Sequence, residues 1–455
     1  MNILLVCPDQ VGPEMAGVGI RYRELAHSLS AQHKVTLSSP KNTLPDSNNV
    51  THIEYRSGSK DIANILHLYD LVIVQAFSSQ EITNSNINNV FVVVDLYCPN
   101  YFENAISDIH SDIGGSHQYR ADIDLLRAQL KLGDFFLCAN SHQKDMIIGM
   151  LTLLGRASKQ QLITDISLDK LIGVVPFGTH NYDTFSKQKY VYEIHTQLTV
   201  SDRVFVWGGG IHNWLDAETP IRAMSLLRFS HPHIKLLFAA SIGHPGQARG
   251  SEATLALALS HEMGLKDANV FFLEQWSRYS ERSGYLNGAT AGLVCHRDHV
   301  ETRFAFRTRV LDYLWAGLPI VTSDGDEFAD LVRKFDLGIV VPPGDPQALA
   351  DAFVTLVERI DAGEPFNDRI ASIRPLYHWD EVVKPLLEFC ANPRKTAHLG
   401  DPVLMAGLPD VMTPRREVSR LLYRTMSVLR SEGPKTVVRK VARKMLTLLR
   451  RARSG

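Results

Sequence analysis

Twelve short apolar runs, rich in Val, Ile and Phe and separated by longer amphipathic segments, limit the folds open to this chain more than any other feature. They fall into two sets of six. The first set lies at 2–7, 34–40, 71–77, 89–97, 135–141 and 171–178, and the second at 203–210, 234–241, 269–274, 291–296, 318–323 and 337–342. Such runs suit strands of a parallel sheet with helices on both faces, where no residue can be spared for solvent. The pattern predicts an α/β protein with two doubly wound, Rossmann-like domains, residues 1–180 and 200–375, joined by the polar stretch 179–200. A length of 455 residues accommodates both, since domains average roughly 150 residues.

Charge is nearly balanced, with 48 Lys and Arg against 49 Asp and Glu, which speaks against nucleic acid as a partner. The balance hides an asymmetry. Residues 415–455 hold 13 basic and two acidic residues, a net of +11, so residues 1–414 carry −12. In this tail Val418, Leu421, Leu422, Met426 and Leu429, and then Val437, Val438, Val441, Met445, Leu448 and Leu449, recur at helical spacing among Arg and Lys. That is an interfacial pattern, too polar to span a bilayer, and it predicts peripheral attachment to an anionic membrane face. Docking of the tail on the acidic body is the alternative. Five scattered cysteines without CxxC spacing suit a reducing compartment. The N-terminus resembles a first strand more than a signal peptide, so the cytoplasm, at the inner face of the membrane, is the expected location.

In open α/β sheets the chemistry lies in the loops after the strands. Here those loops hold Gly12, Gly17 and Gly19, then Asp95, then Gly208, Gly209 and Gly210, and finally a charged patch from Arg297 to Arg309. Glycine lets backbone N–H groups approach a phosphate, and a following helix adds roughly half a positive charge. Neither loop is a Walker motif, and Tyr22 stands where the third Gly of GxGxxG would fall. Each could equally be a tight strand-to-helix turn. Arg303, Arg307 and Arg309 precede an apolar helix that Gly317-Leu318-Pro319 terminates. Three arginines at a sheet edge call for an anion, and a diphosphate matches their planar fork. A solvated helix face with Glu301 and Asp312 pairs remains the plainer reading. Asp312 could accept hydrogen bonds from ribose, and Asp95 could simply cap a turn. His296 and His299 do not fit a metal signature. Asp324-Gly325-Asp326 is the competing metal site. The favoured reading makes it a turn whose Gly325 amide, with Glu327 and Phe328, faces the sugar or diphosphate.

Over residues 1–390 the chain resembles the retaining family 4 glycosyltransferases of the GT-B fold. The resemblance rests on GVGIRYRELAHSLSAQHKVTL, VVPFG at 174–178, the WGGG run and RTRVLDYLWAGLPIVTSDGDEFADLV. It implies an acceptor-binding first domain, a nucleotide-sugar-binding second domain and a crossover helix at 376–395. It departs from the family at three places. The family's second Glu falls on Asp312 and its first on Phe304, with Glu301 the substitute; the usual basic residues after the second domain's first strand are missing from GGGIHNWLD; and a frequent His is Asp95.

Carried over, the resemblance makes Asp95, Glu301 and Arg309 catalytic. Gly208, Gly209, Gly210, Arg303, Arg307, Arg309, Asp312, Asp324 and Gly325 would bind the donor, and Gly17, Gly19 and Arg21 would lie on the acceptor side. No metal or other cofactor is expected. The implied partners are a nucleotide-sugar and a lipid-linked or oligosaccharide acceptor, in bacterial cell-surface polysaccharide synthesis of the lipopolysaccharide type. A GT-B epimerase and a non-catalytic sugar-nucleotide-binding partner of an assembly complex are the alternatives.

Overall fold

The computed structural model describes residues 1–41, 43, 49–75, 89–109, 116–180, 191–195, 197–239, 251–273 and 278–396. The basic tail lies outside the described residues, as does half of the polar stretch between the domains. Among the described residues no helix is long and apolar enough to cross a membrane.

The first sheet has seven strands: β1 (Asn2–Val6), β2 (Lys34–Ser39), β3 (Val50–Glu54), β4 (Leu71–Gln75), β5 (Phe91–Asp95), β6 (Phe135–Cys138) and β7 (Ile172–Val174), in the order β3-β2-β1-β4-β5-β6-β7. The second has six: β8 (Arg203–Gly208), β9 (Ile234–Ala239), β10 (Val270–Phe272), β11 (Ala291–Val294), β12 (Ile320–Ser323) and β13 (Gly338–Val341), in the order β10-β9-β8-β11-β12-β13. Every neighbouring pair is parallel. All twelve apolar runs contain a strand. The thirteenth strand, β3, escapes the sequence reading because Val50-Thr51-His52-Ile53-Glu54 is an edge strand with only Val50 buried, so it needs no apolar run.

Strand order reverses between β1 and β4 in one sheet and between β8 and β11 in the other. Crevices outside such reversal points are where open sheets bind ligands. Both sheets belong to one compact unit, Met1–Leu399. A single apolar cluster runs through it, from Leu5 and Phe177 in the first domain to Val206 and Leu314 in the second and Phe389 beyond.

The segment expected as one crossover helix at 376–395 is two short helices, Trp379–Val382 and Lys384–Ala391. Pro385 sits at the start of the second, where its missing N–H costs nothing, and it prevents the first from continuing. The segment returns to the first domain. Trp379 packs on Phe177 with 5.2 Å between centroids, Phe389 stacks on Phe135 at 4.5 Å, and Thr396 donates its hydroxyl to the Asp134 carbonyl at 2.7 Å.

Candidate functional site

After β1, the Gly17–Ser30 helix turns Ile20, Leu25 and Leu29 inward. Gly19 has a packing reason for lacking a side chain, because a Cβ there would stand 2.4 Å from the Gln10 carbonyl oxygen. A Cβ at Gly17 would meet nothing within 4 Å. Arg21 lies on the same helix but faces the interior, fully buried. Its Nε and Nη2 donate to Asp95 Oδ2 and Oδ1 at 2.7 and 2.9 Å, and further bonds reach the carbonyls of Val175 and Pro176. Asp95 is also fully buried, with both oxygens committed to Arg21. These two residues, placed by the sequence on an acceptor face and at a catalytic centre, are one internal brace. It ties the helix to the ends of β5 and β7.

In the second domain the glycine run ends β8. Tyr313, on the Arg309–Ala316 helix, accepts the Gly208 N–H at 2.8 Å, and its own hydroxyl proton faces the carbonyls of Leu293 and Val206 at 2.9 and 3.0 Å. The Gly208 amide is therefore spent inside the protein. Gly209 has φ +85°, a left-handed conformation that glycine adopts without strain, and Gly210 lies under the His212 ring. His212 stacks on Trp214 with 4.7 Å between centroids. The residue is exposed, yet desolvation by the protein around the ring, with Arg309 and Arg307 nearby, pushes its imidazole down to about 4.

The three patch arginines have separate environments. Arg303 is exposed, over the Phe304 ring. Arg307 is buried and donates from Nη1 and Nη2 to Glu301 Oε1 and Oε2 at 2.8 and 2.6 Å, so the two residues neutralise each other. Arg309 alone turns to the glycine run. Its Nη2 donates to the Gly210 carbonyl at 3.0 Å, its guanidinium lies 4.8 Å from the Trp207 ring centroid, and its Nη1 has no partner. Asp312 accepts from Arg282 Nε at 2.8 Å through Oδ1, and burial nevertheless holds its carboxyl above the usual range. Asp324 pairs with Arg333 at the surface, and the Arg333 hydrogen bond lowers its carboxyl.

Asp326 turns inward and caps the Glu327–Phe335 helix through the Ala329 N–H at 2.8 Å. The two carboxyls of the DGD run thus diverge and do not form a chelate. Among the described residues no group of three or more His, Cys, Asp or Glu is arranged to hold a metal ion. Gly325, at φ +117°, supplies the bend between them. Phe328, expected to face the ligand, is instead buried against Phe306 at 4.8 Å.

The first domain reaches this patch directly. Asn140, which caps the Ser141–Leu153 helix, donates to the Ala305 carbonyl at 3.1 Å, and Gln143 donates to the Phe304 carbonyl at 2.7 Å. Phe102 stacks on Phe304 with 5.8 Å between centroids. Beside it Glu103 faces Glu301 and Arg307, and burial together with Glu301 pushes its carboxyl up to about 7. Tyr313, His212, Arg282 and Glu103 are the site residues the sequence reading missed. Only Tyr313 left a trace there: Gly292 inside β11, where a Cβ would stand 2.1 Å from the Tyr313 ring.

Two parallel Rossmann-like sheets within one compact unit, bridged by a returning C-terminal segment, decide the architecture. The chain has the GT-B glycosyltransferase fold. The lipopolysaccharide-biosynthesis glycosyltransferase WaaG shares it at TM-score 0.61 and 13% identity, over 86% of this chain and all of WaaG. HepE of Anabaena, solved with UDP and glucose, shares it at 0.63 and 13%, over 86% of this chain and 99% of HepE. Residues 202–359 match the family described as Glycosyl transferases group 1, a span that holds β8 to β13 and every donor-side candidate. A phosphatidyl-myo-inositol mannosyltransferase of Mycobacterium leprae is 32% identical over 83 residues, which are 18% of this chain. The match spans only 22% of that mannosyltransferase's length.

Within this GT-B frame, buried polar atoms without a hydrogen-bond partner are scattered through both domains, and seven of them gather at the carboxyl edge of the second sheet. They are both ring nitrogens of His296, His299 Nε2, Arg307 Nε, Arg309 Nη1, Asp326 Oδ2 and Glu327 Oε2. Native proteins pair nearly all such atoms, so a group of them marks a place where a ligand completes the bonding.

Proposed function

We propose that this protein transfers a sugar from a nucleotide diphosphate donor to a glycan acceptor with retention of anomeric configuration. The observation that carries the reading is the group of unpartnered buried polar atoms inside the segment that matches the group 1 glycosyltransferases. HepE, of the same fold, is solved with UDP-glucose, which supports a nucleotide-sugar as donor.

The leaving group is a nucleoside diphosphate whose bridging oxygen gains negative charge as the sugar departs. Arg309 Nη1 and the Gly209 and Gly210 amides are the groups placed to receive that charge, and fixed dipoles are most effective where water is excluded. Attack from the leaving-group face gives retention without a covalent intermediate. The acceptor oxygen forms its bond to the anomeric carbon, the carbon–phosphate-oxygen bond breaks, and the hydroxyl proton passes to the departing diphosphate. The remaining acceleration comes from holding donor and acceptor together. A metal has no assigned role in this scheme, and Arg309 supplies the cation.

The acceptor is a lipid-linked glycan of cell-surface polysaccharide synthesis, and the basic tail keeps the enzyme at the anionic inner face of the membrane where that acceptor resides. The commitment of Arg307 to Glu301 favours a second reading, a non-catalytic nucleotide-sugar-binding partner. Thermal stabilisation by UDP-, GDP-, dTDP- and CMP-sugars identifies the donor, because binding to the native state alone raises the melting temperature. Slow hydrolysis of the stabilising donor is the expected activity. Tight binding without turnover would favour the non-catalytic reading, and absence of both would overturn the donor assignment.

A further inference from the structure

A set of two carboxyls, an imidazole and a guanidinium meets at the second sheet's edge. His296 follows β11 and is fully buried; its ring faces the backbone of Arg297 and Ser323, and neither nitrogen makes a hydrogen bond of good geometry. Its Nε2 lies 3.5 Å from Asp326 Oδ2. Asp326, 3% exposed, spends Oδ1 on the helix cap and leaves Oδ2 unpaired. Arg307 Nε is 4.0 Å from the same oxygen and is also unpaired. Glu327 follows directly, bonded to the Asn140 side chain of the first domain and with Oε2 unpaired.

The chemistry of this set selects its ligand. A phosphate only accepts hydrogen bonds, and two adjacent carboxyls would repel it. A sugar hydroxyl both donates and accepts, and several neighbouring hydroxyls match a set of two carboxyls, an imidazole and an N–H. Burial supports this environment: it pushes Asp326 up to about 6 and Glu327 up to about 7, and with Arg307 it holds His296 neutral at about 3. A hydroxyl can pair with each carboxyl in either protonation state. An acidic sugar would set a third carboxylate against the other two.

We propose that Asp326 and Glu327, with His296 and Arg307 Nε behind them, receive the hydroxyl groups of the donated sugar and select an uncharged hexose over a hexuronic acid. This deepens the donor reading and rests on it. Arg309 and the glycine amides hold the diphosphate, and the Asp326–Glu327 corner holds the sugar.

Titration calorimetry on the full chain with UDP, UDP-glucose, UDP-glucuronic acid, GDP and GDP-mannose tests both layers. Wild-type protein is expected to bind a hexose nucleotide more tightly than its bare diphosphate, and UDP-glucuronic acid about tenfold more weakly than UDP-glucose. Asp326→Asn keeps the helix cap, and Glu327→Gln keeps the side-chain shape. Each should bind the bare diphosphate as wild type does and lose about tenfold or more of the affinity for the hexose nucleotide. Glu327→Gln should also narrow the gap between glucuronic acid and glucose. Variants that keep the full hexose advantage would overturn the sugar assignment while leaving the donor reading intact. Wild-type protein that binds none of the five, and no dTDP-sugar either, would overturn the donor reading itself.

Discussion

The Arg21 guanidinium grips both carboxylate oxygens of Asp95, at 2.7 and 2.9 Å, with neither side chain exposed to solvent. A buried ion pair is costly to break, because the surviving partner keeps its charge without compensation. Arg21→Ala and Asp95→Ala are each expected to cost about 3–5 kcal/mol of stability. Urea unfolding followed by circular dichroism measures this directly. A double replacement by apolar residues of similar volume should recover much of the loss. An Asp95 variant of normal stability that failed only in turnover would instead restore a catalytic role for this residue.

Tyr313 and Gly208 predict a different kind of defect. The tyrosine hydroxyl fixes the amide at the start of the glycine run, so removing it loosens the groups nearest the diphosphate and leaves the apolar ring in place. Tyr313→Phe should remain folded with a melting temperature within a few degrees of wild type. Its donor KM should rise several-fold, while kcat falls less, because the lost bond organises binding. Equal KM values in the two proteins would separate Tyr313 from the site.

The fold was legible because its signal is redundant. Strands such as β4, β6, β11 and β12 are buried along their whole length and need apolar residues on both faces, whereas β3 is an edge strand with only Val50 buried. The site was legible only as a region. Spacing placed Arg303, Arg307 and Arg309 at a sheet edge, but three arginines on a short turn point three ways. Their partners, Glu301 for Arg307 and the Gly210 carbonyl for Arg309, are chosen by the kink between two helices. Asp95 and Arg21 are 74 positions apart in sequence, and no local pattern announces their contact. Glu103 and Asn140 come from the opposite domain, and only tertiary structure brings them to the patch.

The two inner arginines should therefore fail differently. Arg309→Ala removes a cation that is bonded to the Gly210 carbonyl and keeps its Nη1 without a partner, and donor diphosphate affinity should drop by about 1.5–3 kcal/mol with stability nearly unchanged. Arg307→Ala leaves Glu301 buried and unpaired, so stability should fall more than with Arg309→Ala. Donor titrations alongside urea unfolding of both variants separate the two effects. A stability loss confined to Arg309→Ala would reverse these assignments.

The basic tail is expected to act independently of donor binding. Truncation after Pro414 removes a net +11, and each basic residue near an anionic surface contributes on the order of 1 kcal/mol. The shortened protein should keep wild-type affinity for its nucleotide-sugar and lose co-sedimentation with vesicles containing phosphatidylglycerol. Attachment of the full chain should weaken as salt rises. Sedimentation of the truncated form at low salt, at the full-chain level, would assign the tail to the protein's own acidic body.

The carboxyls at the domain junction set the pH dependence of stability. Burial pushes Glu103 and Glu327 up to about 7 and Asp326 up to about 6, each above its ordinary range. Facing them are Glu301 and Arg307 around Glu103, Asn140 and Asp330 around Glu327, and His296 and Arg307 around Asp326. A raised carboxyl keeps its proton in the folded state after the unfolded chain has lost it. The folded state therefore binds more protons between about pH 4 and pH 7, and stability from these groups falls as pH rises through that window. The protein without donor should accordingly have a higher melting temperature near pH 5.5 than near pH 7.5. Glu103→Gln and Glu327→Gln remove the titration and should each flatten the slope, most of all when combined. Identical slopes in wild type and the double variant would place the titrating groups elsewhere.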